Sequence, residues 1–239
     1  GLLHFRHRRG GELVLAKPLP GVLPEDDLAL GAARLLQAQT GCRQGVEICV
    51  EKRLPMGGGL GGGSSDAATV LLALNHLWQL GLSRQRLQEI GLSLGADVPV
   101  FLFGRNAFAE GVGESLQPVV LAPSWYVVLE PTVQVPTAAI FGAPELRRDS
   151  PAIRAEAWRP GFGGNDLEPV AVSRFPVVGE YIDWLAQFGE ARMSGSGACV
   201  FAEFDCQEAA LAVIARLPSD MRGWVAAGLP AHPLCGLAE

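Results

Sequence analysis

Residues 2–8 alternate apolar and polar positions, with Leu3 and Phe5 on one face and His4, Arg6 and Arg8 on the other, as in a half-buried strand. Gly10-Gly11 and a second apolar run, Leu13 to Leu15, predict a β-hairpin whose solvated tip carries Arg6, His7, Arg8 and Arg9. A domain that starts inside a hairpin is expected to have lost what preceded it, leaving Leu3 and Phe5 on an uncovered edge. Pro18, Pro20, Gly21 and Pro24 form a rigid connector. The acidic trio Glu25-Asp26-Asp27 then favours the start of a helix carrying Leu28, Leu30, Ala33, Leu35 and Leu36, which Gly41 ends. The period falls to two at 45–51, with Val46, Ile48 and Val50 inward, and this strand runs into the glycine-rich stretch 57–63. An apolar helix is expected from about 65 to 80, with Trp78 in the core and His76 and Gln79 on a polar stripe, and another from 83 to 94.

Further along, the pattern predicts an apolar strand pair at 98–103 and 106–112 and a strand at 125–130. Residues 142–164, rich in Gly, Pro and charge, read as a mobile connection, with Arg147, Arg148 and Asp149 as a solvated run. A helix near 177–188, with Tyr181 and Trp184 as packing residues, a strand at 198–204, a helix at 207–216 and a last strand at 223–227 complete the chain. That order resembles a ferredoxin-like unit, so the expectation is an α+β chain in two lobes, 1–120 and 121–239.

Composition narrows the function. Of 239 residues, 49% are hydrophobic and 18% charged, which excludes global disorder. The net charge of −6 argues against a nucleic-acid groove, which needs a basic excess. No apolar run reaches the ~18 residues of a membrane-spanning helix, and GLLHFRHRR at the start has no leader-like apolar core. The five cysteines, 42, 49, 199, 206 and 235, have no zinc-site spacing and read as buried free thiols, so the expected location is the cytoplasm.

The chemistry lies in KRLPMGGGLGGGSSDAA, Lys52 to Ala68, where six of the seven residues 57–63 are glycine. A flexible linker does not join an alternating strand directly to a buried helix. The alternative is a concave row of N–H groups ending at a helix N-terminus, with Ser64, Ser65 and Asp66 as candidate caps. Such a place holds phosphate. A Walker A loop needs Gly-Lys-Ser/Thr, but Ser64 follows Gly63 directly. Gly57, Gly59 and Gly62 satisfy G-x-G-x-x-G, but the helix leads to another helix rather than to a strand ending in an acid, unlike a dinucleotide fold. The H-R-D and D-F-G of protein kinases are absent. Asp97, read alone, is a turn or N-capping aspartate beside an apolar run.

PMGGGLGGGSSDAA resembles the P-x-x-x-G-L-G-S-S signature of the GHMP small-molecule kinases, and GADVPVF at 95–101, AFAEGVGE at 107–114 and SGSGACVFAEF at 194–204 extend the resemblance over essentially the whole chain. Homoserine and mevalonate kinases share the loop but not the combination of GADVPVF with AFAEGVGE. The resemblance implies a two-lobed fold, with an N-terminal ATP-binding lobe of ribosomal-protein-S5-like type and a C-terminal ferredoxin-like lobe. It also implies ATP and Mg2+ as cofactors, a small-molecule substrate that is a cytidine-diphosphate-linked alcohol of isoprenoid precursor synthesis, no nucleic-acid or membrane partner, and a monomer or homodimer. Residue by residue, it assigns Pro55-Met56-Gly57-Gly58-Gly59-Leu60-Gly61-Gly62-Gly63-Ser64-Ser65 to the ATP phosphates, with Lys52 near the nucleotide. It makes Asp97 the catalytic base, places Val112 and Thr137 on the cytidine side, and has Gly195-Ser196-Gly197 buttress the phosphate loop.

There are two departures from the family pattern. Its opening P-A-K-x-N strand and G-Y-H segment have no counterpart here, and the only lysines are Lys17 and Lys52. A truncated start with negligible turnover and poor solubility is therefore expected, and a non-catalytic nucleotide-binding remnant stands as the alternative, beside a kinase for another small alcohol. Asp27 stands where the family usually has asparagine, which removes an amide donor from the adenine side.

Overall fold

The computed structural model describes residues 1–159 and 163–238, in two compact units. The first comprises residues 1–54, 61–120 and 230–239, and the second residues 55–60 and 121–229. The division near 120 is thus crossed twice, once by the front half of the glycine loop and once by the C-terminal segment.

In the first unit, β1 (Leu2–Arg8), β2 (Leu13–Leu15) and β3 (Gly45–Glu51) form a sheet in the order β1-β3-β2. The expected hairpin between β1 and β2 does not form, because β3 lies between them, antiparallel to β1 and parallel to β2. The turn between β1 and β2 folds over the start of β3, where the Glu12 carbonyl accepts from the Val46 N–H at 3.0 Å. A Cβ at Gly45 would lie 2.4 Å from the Gly10 carbonyl oxygen. Central placement suits β3, whose Val46 and Ile48 are buried. It also removes the basic tip: Arg6 and Arg8 lie along β1 and pair with Glu47 on β3 at 2.5 and 2.9 Å. Leu3 and Phe5 pack on the core instead of forming an uncovered apolar edge.

Helix α1 (Leu28–Thr40) starts at Asp27 and ends at Gly41, whose φ of 67° closes it. Helix α2 (Gly62–Leu77) is buried on most sides through Ala67, Val70, Leu71, Leu72 and Leu74. Helix α3 (Arg84–Leu92) is capped by Ser83, whose side chain accepts from the Arg86 N–H. The segment expected as a strand at 98–103 is instead a helix, α4 (Val98–Phe103). Pro99 fits its first turn, and Val98 and Leu102 repeat at helical spacing toward the core, so a strand-like composition loses to burial of one helical face. The expected strand at 106–112 shortens to β4 (Ala107–Glu110), which pairs with β5 (Ser115–Pro118). Leu234, Leu237 and Ala238 of the C-terminal segment pack on the same core.

The second unit contains β6 (Trp125–Leu129), α5 (Thr137–Phe141), a 3-10 turn at Ala155–Ala157, α6 (Glu168–Arg174), α7 (Pro176–Leu185), β7 (Arg192–Met193), β8 (Val200–Phe204), α8 (Gln207–Ile214) and β9 (Gly223–Ala227). Its antiparallel sheet runs β7-β8-β6-β9, the strand order of a ferredoxin-like unit. Val127, Leu129, Val200 and Ala202 face Val178, Tyr181 and Leu185 of α7 and Val213 of α8. Helix α6 and the two-residue β7 escape periodicity because each is too short to show one. Of the expected mobile connection, 160–162 lie outside the described residues, while Ala143 and Leu146 are buried.

Hydrogen bonds and charge from Arg6 and Arg8 hold the Glu47 carboxyl below its ordinary 4.5. A group with a lowered folded pKa stabilises above its unfolded value and loses that contribution as pH falls through the folded one. Glu47→Gln should therefore lower the thermal midpoint at neutral pH, and the difference from the parent should vanish as the pH drops below 4.5, as paired melts across pH will show.

Candidate active site

The glycine loop begins on the second unit and ends as the start of α2. Gly57, Gly59 and Gly61 take positive φ of 71°, 72° and 64°, whereas Gly58 and Leu60 between them do not. Alternating the sign of φ turns successive N–H groups toward one side, the geometry of an anion nest. At Gly59 the requirement is also steric, since a Cβ would lie 2.1 Å from the Ser194 carbonyl oxygen. Gly61 is the N-cap of α2, and no side chain satisfies the first amides there. Ser64, Ser65 and Asp66, expected as caps, are inside the helix, where Ser65 N–H donates to the Gly61 carbonyl at 2.8 Å. Gly62, Gly63 and Ser64 extend the helix by three residues toward the loop, and no side chain caps the N–H groups of its first turn.

Within the second unit the 193–199 turn grips this loop. Ser194 Oγ donates to the Gly59 carbonyl at 2.8 Å, and Cys199 N–H donates to the Gly58 carbonyl at 3.1 Å. Ser196, 8% exposed, shares a 2.8 Å hydrogen bond with the Thr137 hydroxyl at the start of α5. Four residues on, Phe141 is an exposed aromatic, a surface on which a planar base can stack. The sequence reading passed over it, although its helical spacing from Thr137 was available. A cavity of about 320 Å3 lies between Pro55–Gly58 and the 130–134 segment, with Cys199 in its wall. Burial, with the charge of Glu130, pushes the Cys199 thiol up to about 12.

Within the first unit, Asp97 is the exposed N-cap residue of α4 and makes no capping bond, so the capping interpretation fails. The helix it begins places Phe101 beside Gly61, where a Cβ would lie 2.8 Å from the ring. Val112, 68% exposed, sits in the β4–β5 turn, and the next residue, Gly113, approaches the Ala96 carbonyl so closely that a Cβ would be 2.4 Å away. The start of α2, the Asp97 helix and the Val112 turn are thus neighbours. Lys52 Nζ lies 2.6 Å from Asp66 Oδ2 on α2. Asp27 is 3% exposed; its Oδ1 accepts from the Leu30 N–H at 2.9 Å, while its buried Oδ2 has no hydrogen-bond partner among the described residues. These residues contain no group of three or more His, Cys, Asp or Glu side chains arranged for a metal. All five cysteines are free thiols, but only Cys199 is buried, and Cys206 and Cys235 are exposed.

An uncapped glycine loop entering a buried helix, with a ferredoxin-like unit gripping it, defines a phosphate-handling class. Two family models match it: one described as GHMP kinases N terminal domain at residues 27–105, and one described as GHMP kinases C terminal at 149–223. The 4-diphosphocytidyl-2-C-methyl-D-erythritol kinase of Dechloromonas aromatica is 59% identical over 99% of this chain and 86% of its own length. The protein of the same name in Thiobacillus denitrificans is 60% identical over 97% of this chain and 84% of its own. A crystal structure of 4-(cytidine 5'-diphospho)-2C-methyl-D-erythritol kinase matches with a TM-score of 0.79 at 35% identity, over 94% of this chain and 84% of that one. A homoserine kinase from Cytophaga hutchinsonii shares the fold at a TM-score of 0.71 and 16% identity, over 96% of this chain and 86% of that one. The chain belongs to the GHMP kinases and, within them, to the 4-diphosphocytidyl-2-C-methyl-D-erythritol kinase family. No helix among the described residues is long and apolar enough to cross a membrane.

The raised Cys199 pKa leaves almost no thiolate at pH 8. Iodoacetamide should alkylate Cys206 and Cys235 in the folded protein and spare Cys199 until denaturant is added, with peptide mass mapping as the readout.

Proposed function

We propose that the chain transfers the γ-phosphoryl group of ATP to the 2-hydroxyl of 4-diphosphocytidyl-2-C-methyl-D-erythritol, a step in the non-mevalonate synthesis of isoprenoid precursors. The observation that carries this reading is the 59% and 60% identity, over nearly the whole chain, to kinases of that name. Structures of kinases named for other alcohols stand at 16% and 13% identity, where only the fold is shared.

The residues of Pro55–Ser65 fit the triphosphate, because alternating φ and the uncapped start of α2 offer convergent N–H dipoles without a long cationic side chain. Lys52 lies on the nucleotide side, its ammonium held by Asp66. Magnesium accompanies the triphosphate and typically keeps several waters, so one or two protein oxygens suffice to hold it. Asp97 accepts the proton of the 2-hydroxyl as that oxygen attacks the γ-phosphorus. The new P–O bond forms while the bond to the β,γ-bridging oxygen breaks, and ADP leaves. Thr137 and Phe141 on α5, together with Val112, serve the cytidine portion, with the aromatic ring available to stack on the base.

Two variants test these roles. Gly61→Val adds a branched side chain at φ 64°, where even a Cβ meets the Phe101 ring, and should abolish ATP binding measured by calorimetry. Unchanged affinity would remove the loop from the nucleotide site. In a chain to which the P-A-K-x-N strand and G-Y-H segment of a relative are joined, Asp97→Asn keeps the shape and removes the base, so kcat should fall by at least ~10² with ATP affinity nearly intact. A variant with most of its turnover would show that another group takes the proton.

A further inference from the structure

We infer that Asn165 is a positioning residue for both substrates of the reaction, acting through the 193–199 turn. The inference rests on the reading that the glycine loop takes the phosphates and Thr137 the cytidine substrate. Asn165 lies three residues before α6 and outside every motif quoted above. Its Nδ2 donates to the Met193 carbonyl at 3.0 Å and to the Gly195 carbonyl at 2.7 Å. Its Oδ1 accepts from the Leu167 N–H at 3.0 Å, which fixes the sense of the amide and commits the two N–H donors to the turn. Glu168, at the start of α6, completes the hold by accepting from the Met193 N–H at 2.7 Å.

The two clamped carbonyls belong to the peptide planes on either side of Ser194-Gly195. Fixing the first sets the direction of Ser194, whose hydroxyl holds the Gly59 carbonyl at 2.8 Å. Fixing the second sets Ser196, whose hydroxyl meets Thr137 at 2.8 Å. The turn closes on itself through Ser194 N–H to the Cys199 carbonyl at 2.8 Å, and Cys199 N–H in turn reaches Gly58 at 3.1 Å. One side-chain amide therefore braces the segment from which both the phosphate loop and the Thr137 hydroxyl are aimed. Gly195 and Gly197 have positive φ of 55° and 93° and no side chains to pack, so the turn depends on such hydrogen bonds for its geometry.

The variant that isolates this role is Asn165→Asp, which keeps the shape, loses both donors and sets a carboxylate against two carbonyl oxygens. Dissociation constants are measured by calorimetry for ATP, for 4-diphosphocytidyl-2-C-methyl-D-erythritol and for adenosine, which has no phosphate for the loop to hold. The expected result is a rise of about tenfold or more for each of the first two, from the loss of one to two hydrogen bonds, with adenosine unchanged. Ser194→Ala should weaken ATP alone, and Ser196→Ala the cytidine substrate alone. If Asn165→Asp does not fold by circular dichroism, Asn165→Ser is measured in its place, with the same pattern expected. A lowered thermal midpoint with both affinities within twofold of the parent would overturn the inference, and so would a loss that extends equally to adenosine. If Ser194→Ala and Gly61→Val also leave ATP affinity unchanged, it is the phosphate-loop reading that fails. If they weaken ATP and Asn165→Asp does not, that reading stands and the assignment of Asn165 falls.

Discussion

The close approach of bare main chain at Gly59 to the 194–197 turn is the constraint on which the site depends. No side chain fits between Gly59 and the carbonyls of Ser194 and Gly197, and φ at Gly59 is 72°. Contact this tight lets Ser194 and Cys199 take up the carbonyls of Gly59 and Gly58. Once those carbonyls are occupied, the N–H groups of the same peptides are left for a ligand. The chain continues from Leu60 directly into Gly61, the cap residue of α2, which no side chain caps. Glycine here costs conformational entropy, and what it returns is access to the backbone.

Electrostatics follow from that choice. The chain carries a net charge of −6 and two lysines, and the lysine beside the loop already has a carboxylate partner in Asp66. In the function proposed above, the triphosphate would be met chiefly by fixed backbone dipoles, which need no reorganisation as charge moves in the reaction. Asp97 is arranged in the complementary way. Its backbone starts a helix held in the core by Val98, Pro99 and Leu102, while its carboxylate makes no capping bond. A backbone held in the core beneath a carboxylate that makes no capping bond suits the proton-accepting role proposed for Asp97.

The two units contribute in different ways. In the first, a central strand and the buried face of α2 fix where that helix begins, and the C-terminal segment returns to the same core, where the Arg84 guanidinium holds the carbonyls of Leu102, Cys235 and Ala238. In the second, a ferredoxin-like sheet carries the turn that holds the loop and, through Ser196, the start of α5.

Local demands were legible in the residue order. The two-residue period of 45–51, the helix ended by Gly41, the last strand at 223–227 and the run of glycines at 57–63 each state a backbone requirement that neighbouring residues alone impose. The glycine loop stood out for the same reason, as chemistry packed into a short segment, whereas Asp97 read alone was a turn or capping residue and drew its role only from the family resemblance. Pairing was decided only by tertiary structure. Gly10-Gly11 looked like a hairpin turn, yet β3 entered between its arms, because Val46 and Ile48 are best buried at the centre of the sheet. The apolar run at 98–103 looked like a strand and became a helix, because the core offered a surface matching Val98 and Leu102 on one helical face. Asn165 carried no local signal, because the carbonyls its side chain holds, those of Met193 and Gly195, lie 28 and 30 residues further along the chain. A linear pattern records spacing along the chain but not the partners that folding brings across it.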